Sequence, residues 1–267
     1  MTTGLVDHAC CVYDADEELR DTASAFLAAG VAAGQRPIVL GPGPLDRLAA
    51  VTLGPAAPPG VDLRTTEEVY GEGPGIDPVP TLAAFCTELA GALAAGYTGL
   101  RVVAVLGDMV RDAGSAREVA RWEHIAGVWQ SSQPIASICA YDRRLVAEDA
   151  LAPIACVHPR LDVPDDLAPF QLYARHGELV LAGELDAQAA PVLAQVLSFI
   201  DVPADERLVV DATELRFIDH RSLLTVVEHL RRHRPGGMTL LGAPGTADRL
   251  RDLLGVAGDE LVLAGRP

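Results

Sequence analysis

The segments Leu100–Leu106, LRVVAVL, and Pro134–Tyr141, PIASICAY, carry the reading of the fold. Both are almost continuous apolar runs. A strand with one wet face alternates apolar and polar residues, so an unbroken run implies cover on both faces, as in a parallel sheet between helices. Outward from these segments the same grammar repeats. His8–Tyr13, Arg36–Leu40 and Gly60–Arg64 read as further strands. An acidic start at Asp14–Glu18 opens an Ala-rich helix that closes at Gly34, and Thr81–Ala95, Ala116–Trp129 and Glu148–Cys156 have helical apolar spacing. Gly71–Pro80, rich in Gly and Pro, reads as a loop. The fold class is α/β.

HPRLDVPDDLAP, His158–Pro169, carries three prolines and three aspartates and is the best linker candidate. It divides the chain into residues 1–160, a linker over 161–169, and residues 170–267. Beyond it, Phe170–Arg175 and Glu178–Leu185 alternate around His176-Gly177 and predict a hairpin. A helix over Ala187–Ile200, a strand over Arg207–Asp211, a helix over His220–His233, a strand over Met238–Leu241, a helix over Thr246–Leu254 and a strand over Glu260–Leu263 follow. This is a second, smaller α/β unit.

The 267 residues include 37 acidic and 21 basic side chains, a net charge of -16. Duplex DNA is bound chiefly by neutralising phosphates with clustered cations, so this balance argues against a nucleic-acid partner. Every basic residue is Arg; Lys is absent, which excludes a phosphate-cradling Walker Lys, a Schiff base and a Ser-Lys dyad. No secretory leader and no membrane span are expected, and five cysteines in apolar segments suit a reducing cytoplasm. No Gly-x-Ser-x-Gly or catalytic Cys-His pattern is present, so an enzyme is not expected, nor any cofactor.

In the second half, GELVLAGELDAQAAPVL and LVVDATELRFIDHRSLLTVVEHLRR place Gly-Glu-Leu-Asp after one strand and Phe217-Ile218-Asp219 directly before a helix. This pattern resembles the STAS domain of anti-sigma-factor antagonists. The resemblance implies a phosphorylatable Asp-Ser-Ser/Thr-Gly-Leu turn that binds a kinase-like anti-sigma factor. The matching residues are Asp219, His220, Arg221, Ser222 and Leu223. Asp219 is a suitable N-cap, but His220 stands at the phosphoserine position. Ser222 is the hydroxyl left in the turn: a shifted phosphosite, or an exposed first-turn serine.

In the first half, Ala25–Gly41 resembles the helix-to-strand segment of KaiC-like and RecA-like ATPases. The loop that would hold phosphate, Tyr13–Arg20, has no Gly or Lys and four carboxylates, so ATP is not expected to bind. His8-Ala-Cys10-Cys11-Val-Tyr13-Asp14, Gly107-Asp108-Met109, Trp122-Glu123, Ile138-Cys139-Ala-Tyr141-Asp142 and His158-Pro159 together resemble the MEDS domain, a P-loop-less sensory relative of that fold. The resemblance implies sensing of small hydrocarbon-derived molecules. Val110 stands where an aromatic is expected after Gly-Asp-Met.

Ligands of open α/β folds bind at the carboxyl edge of the sheet. His8, Cys10, Tyr13, Asp14, Cys139, Tyr141 and Asp142 are therefore expected to line one pocket there. His8/Cys10 and Cys156/His158 are short spaced donor pairs, but no CxxC is present and no metal site is predicted. Cys10 or Cys11 as a redox thiol is an alternative, as is the reading of cysteines, Cys86 among them, as small buried hydrophobes. Strand alternation sends Cys10 and Cys11 to opposite faces. His124, His229 and His233 are expected at the surface, and Tyr141-Asp142-Arg143-Arg144 as a basic loop or an anion site. The expectation is a cytoplasmic regulator, antagonist-like, with a small-molecule or redox input; a ligand-free scaffold and a residual nucleotide-binding protein are the rivals.

Overall fold

A computed structural model describes residues 7–55, 57–71, 75–200 and 205–265. Residues 1–6, and 72–74 of the Gly71–Pro80 loop, lie outside the described residues. The elements run β1 (Asp7–Tyr13), α1 (Asp16–Ala32), β2 (Arg36–Gly41), α2 (Leu45–Thr52), β3 (Asp62–Thr65), α3 (Thr66–Tyr70), α4 (Pro78–Ala94), β4 (Leu100–Val105), α5 (Ala113–Gln130), β5 (Ile135–Asp142), α6 (Glu148–Cys156) and β6 (Arg160–Asp162). A single 3-10 turn, Gly107–Met109, follows β4. The second unit comprises β7 (Phe170–Arg175), β8 (Glu178–Leu185), α7 (Ala189–Leu197), β9 (Leu208–Ile218), α8 (His220–His233), β10 (Met238–Leu241), α9 (Gly245–Leu253) and β11 (Leu261–Ala264).

The first sheet has the order β3-β2-β4-β5-β1-β6 with parallel pairings throughout. Every residue of β4 and β5 is buried, as their unbroken apolar runs require. One face packs Leu19, Ala23 and Leu27 of α1 and Leu48 of α2 against Cys11, Tyr13, Val39 and Val103. The other face receives α4, α5 and α6. Cys10 belongs to that second layer and Cys11 to the first, so the two thiols do take opposite faces.

The segment read as a linker begins by completing this sheet: Cys10 and Cys11 of β1 pair with Leu161 and Asp162 of β6. The second sheet, β11-β10-β9-β8-β7, is parallel except for the antiparallel β7–β8 hairpin. His176 and Gly177 both have positive φ, 53° and 82°, the left-handed pair that a tight two-residue hairpin turn demands. β9 does not stop at Asp211. Asp211 Oδ1 accepts from Thr213 N and Oγ1, and Ala212 and Thr213 stand opposite the single Leu181, one extra residue, before pairing resumes at Ala182–Glu214. The core is continuous between the two sheets, with Phe170, Leu172 and Leu181 in one cluster with Ala126, Leu151 and Cys156. Gln171 of β7 donates to the His158 carbonyl at 2.8 Å, and Gly177 N donates to Ser131 Oγ at 3.0 Å.

Candidate functional site

On β1, alternation puts His8 and Cys10 on the face covered by α5 and α6. The parallel register pairs Cys10 with Cys139, so Cys139 and Tyr141 of β5 share that face. α5 crosses it with an apolar stripe of Val119, Ala120, Ala126 and Gly127, and in the middle of that stripe stands Glu123, 1% exposed. His158, one residue beyond the C-cap of α6, is fully buried beside it. Residues far apart in sequence thus converge on one carboxylate.

Glu123 Oε2 lies 3.1 Å from His8 Nε2, 3.2 Å from Cys139 Sγ and 3.5 Å from His158 Nε2. Cys139 Sγ is 3.4 Å from His8 Nε2, and the two imidazole rings are 4.2 Å apart. The other carboxylate oxygen, Oε1, accepts from the Tyr141 hydroxyl at 2.5 Å. His158 Nδ1 lies 2.8 Å from the Ile154 carbonyl; a carbonyl only accepts, so Nδ1 donates there and Nε2 is the ring atom turned toward Glu123. His158 Nε2 and His8 Nδ1 have no hydrogen-bond partner. The donor atoms of His8, Glu123, Cys139 and His158 all lie within 4.8 Å of one another. Gly127, one turn beyond Glu123, makes room for the ring: a Cβ there would sit 3.1 Å from His8 Nδ1.

Burial, and then His158, push the His8 imidazole down to about 4 against the pull of Glu123, so it is neutral at pH 7. Burial acts to raise Glu123, but His158 first and His8 after it outweigh burial and hold the carboxyl below its ordinary range. Burial and the Glu123 charge push the Cys139 thiol and the Tyr141 phenol well up, so both keep their protons and donate to the carboxylate.

Two cavities flank this cluster. One, of about 20 Å³, reaches Glu123 and Cys139 between Tyr70, Phe85, Trp122 and Trp129 and has room for little more than a water. The other, about 270 Å³, is a cleft between the two units: His8, Gly127 and Gln130 form one wall, and Tyr173, Arg175 and His176 another.

The expected pocket at the carboxyl edge is not assembled. His8, Cys10, Cys139 and Tyr141 share one face. Tyr13 is buried on the other, beneath α1, its phenol pushed up by burial and then by Asp142. His8 and Tyr13 are also five residues apart along β1, roughly 16 Å at a rise of about 3.3 Å per residue. Asp142 accepts from the Arg144 guanidinium at 2.6 Å, Arg144 also holds Asp16 at 2.5 Å, and Arg143 lies 3.8 Å from Asp14. The Asp142–Arg144 turn is therefore an internal ion-pair network, with its arginines engaged by this chain's own carboxylates. Three surface or burial expectations are corrected as well: His124 is buried, His229 is half-buried, and Cys86 is exposed on α4.

Asp219 caps α8, accepting from Ser222 N at 2.8 Å. His220 and Arg221 are exposed, and Phe217 and Leu224 beside them are 42% and 37% exposed. Ser222 is fully buried, its hydroxyl donating to the Asp186 carbonyl at 2.8 Å, and Leu223 is core. The expectation of an exposed first-turn serine is corrected: the first turn packs down on the β8–α7 connection. Of the partner-facing residues expected from sequence, Asp219, His220 and Arg221 reach the surface.

Glu123 and His158 were legible only as members of short motifs. The signal for Glu123 was there: a carboxylate flanked at i−4, i−3, i+3 and i+4 by Val119, Ala120, Ala126 and Gly127 sits on a buried stripe.

No curated protein and no solved structure matches the chain. Residues 7–159, β1 to the residue before β6 and the whole buried cluster, match the family model described as MEDS, the MEthanogen/methylotroph, DcmR Sensory domain, and the chain belongs to that family.

Proposed function

We propose that this is a signalling protein in which the MEDS unit takes up a small molecule in the cleft between the units and the second unit passes the change to a protein partner. The observation that carries the reading is the cleft itself. It is walled on one side by His8, which also touches the buried carboxylate, and on the other by Tyr173, Arg175 and His176 of the β7–β8 hairpin. A ligand there contacts both units at once and so can favour one arrangement of them, which is what a switch requires. The Gln171–His158 bond and the shared apolar core give the change a contiguous route into the second sheet.

In this reading the first unit is the KaiC/RecA-like sheet without a phosphate loop, and halomethanes and other small hydrocarbon derivatives are its ligand class. The second unit is a STAS-type module that binds a kinase-like anti-sigma factor. Its partner surface is Asp219, His220 and Arg221, flanked by the exposed Phe217 and Leu224. An apolar pair ringed by polar side chains at a helix start is a reasonable anchor for a protein partner. Ser222 and Leu223 support that surface from beneath, and no phosphorylation step is part of the mechanism. The protein works in the cytoplasm, as a binder and not as an enzyme.

The test is capture of partners from the host lysate with wild type beside Arg221→Glu, which leaves the Asp219 cap in place. Recovery of a kinase-like anti-sigma factor with wild type and its loss with Arg221→Glu is the expected result. Equal recovery with both, or recovery of no such factor, overturns the partner assignment. A titration of halomethanes that moves the affinity of wild type for the factor, but not that of Arg175→Ala, checks the cleft.

A further inference from the structure

From the buried cluster we infer that this chain binds a divalent transition-metal ion of the zinc class, held by His8 Nε2, Glu123 Oε2, Cys139 Sγ and His158 Nε2.

The geometry is that of a four-coordinate site. Metal–nitrogen and metal–oxygen bonds of about 2.0–2.1 Å and a metal–sulfur bond of about 2.3 Å, spread tetrahedrally, separate neighbouring donors by about 3.3–3.6 Å. Of the observed separations, 3.4 and 3.5 Å fall in that range and 3.1 and 3.2 Å fall just short of it. Hydrogen bonding accounts for some of these contacts but not for His158. Its Nδ1 donates to the Ile154 carbonyl, and its buried Nε2 lies 3.5 Å from the carboxylate with no hydrogen bond, the place at which a cation would supply the missing partner. The groups behind the donors also fit. A ligating histidine gives its other N–H to a carbonyl, as His158 does, and a ligating carboxylate has its second oxygen held, as Tyr141 holds Glu123 Oε1. Loss of the thiol proton on binding leaves one thiolate and one carboxylate, which together balance a divalent ion and leave the buried site neutral.

Two nitrogens, one oxygen and one sulfur make a borderline-soft set suited to Zn²⁺ or Fe²⁺, and unsuited to Ca²⁺ or Mg²⁺. All four places come from the protein, so the ion organises structure: it ties β1, α5, β5 and the end of α6 to one point. Because His8 also walls the cleft, the ion would set the position of that wall. The inference rests on the sensory reading only through His8, which the cluster shares with the cleft, and the two readings fail separately. A chain that holds metal and answers to no ligand refutes the sensing alone; a metal-free chain that still responds refutes only this proposal.

The experiment uses tag-free full-length protein from zinc-supplemented cells, its metal content measured by plasma mass spectrometry, followed by chelation and titration with Co²⁺. About one zinc per chain is expected, and Co²⁺ should give the intense visible bands of a four-coordinate site with a thiolate-to-cobalt charge-transfer band. Cys139→Ser should lose the charge-transfer band, while Cys11→Ser, on the opposite face, keeps it. Tyr141→Phe retains all four donors, so it should keep the band and weaken binding by about tenfold or more. This variant decides the matter if Cys139→Ser does not fold. Wild type that is folded by circular dichroism yet binds neither ion stoichiometrically overturns the proposal. So does a charge-transfer band that survives Cys139→Ser or disappears in Cys11→Ser, and so does Tyr141→Phe binding as tightly as wild type.

Discussion

Ser222 offers a direct energetic test of whether the second unit can be a phospho-switch. The side chain is fully buried at the third residue of α8, with its hydroxyl on the Asp186 carbonyl at 2.8 Å and its backbone N–H on Asp219 Oδ1 at 2.8 Å. Ser222→Ala deletes one hydrogen bond and leaves the Asp186 carbonyl short of a donor, which costs about 1 kcal/mol. Ser222→Asp does more. A carboxylate cannot donate to that carbonyl, it lies beside the Asp219 carboxylate, and it is taken out of water while the neighbouring Arg221 side chain is exposed. An uncompensated buried charge costs about 3–5 kcal/mol. The helix dipole favours a negative first turn by only about 0.3–1 kcal/mol, so burial wins. The net loss, about 3 kcal/mol or more, is a hundredfold or greater shift toward the unfolded state at about 1.4 kcal/mol per decade. Urea unfolding followed by far-ultraviolet circular dichroism and by tryptophan fluorescence measures it for wild type and both variants. If Ser222→Asp unfolds within about 0.5 kcal/mol of wild type, or is more stable than Ser222→Ala, the hydroxyl is not locked under the helix and the reasoning fails.

Three further outcomes are expected. Asp219→Ala, which removes the α8 cap bond, should lower stability by about 1 kcal/mol in the same denaturation assay. Gly127→Ala should gain up to about 1 kcal/mol from helix propensity but lose more. Its methyl meets the His8 ring, which is wedged against His158 at 4.2 Å, and overpacking costs about 1–3 kcal/mol, so a fall in melting temperature is expected and a rise would refute the packing described. Burial, then the charges of His233 and Arg234, push the His229 imidazole down to about 4 from 6.5. Between those values the unfolded chain takes up the proton first, so stability is lost as pH falls from about 6.5 to about 4. His229→Gln should show a shallower fall than wild type across that window and no difference above it; parallel curves would disprove the shift.

Much of the fold was legible because periodicity reports what lies above and below a single element. The apolar runs of β4 and β5 announced a sheet covered on both sides, and alternation alone separated Cys10 from Cys11. His176-Gly177 marked its turn because few residues other than Gly accept positive φ, and Asp219 marked the start of α8 because a carboxylate satisfies its free N–H groups. β9 runs further than its sequence suggests for a related reason: the short apolar stretch after Asp211 reads as a turn, whereas Asp211 and Thr213 fold it into a bulge that β8 tolerates. The segment after His158 has the Pro and Asp content of a linker, yet Leu161 and Asp162 find an open edge on β1.

The amino-acid sequence by itself determined the α/β class, the two-part order of elements, the want of a phosphate loop, and the face on which each strand residue lies. These depend on local propensity, period and charge, which act over a few residues. Only the tertiary structure decided that Glu123 of α5 meets His8, Cys139 and His158, that Tyr13 and Asp142 stand apart from them, and that Ser222 is sealed under its own helix. Those facts turn on which helix crosses which sheet face and in what register. A contact such as His8 to Glu123, 115 residues apart, leaves no period in the chain to be read.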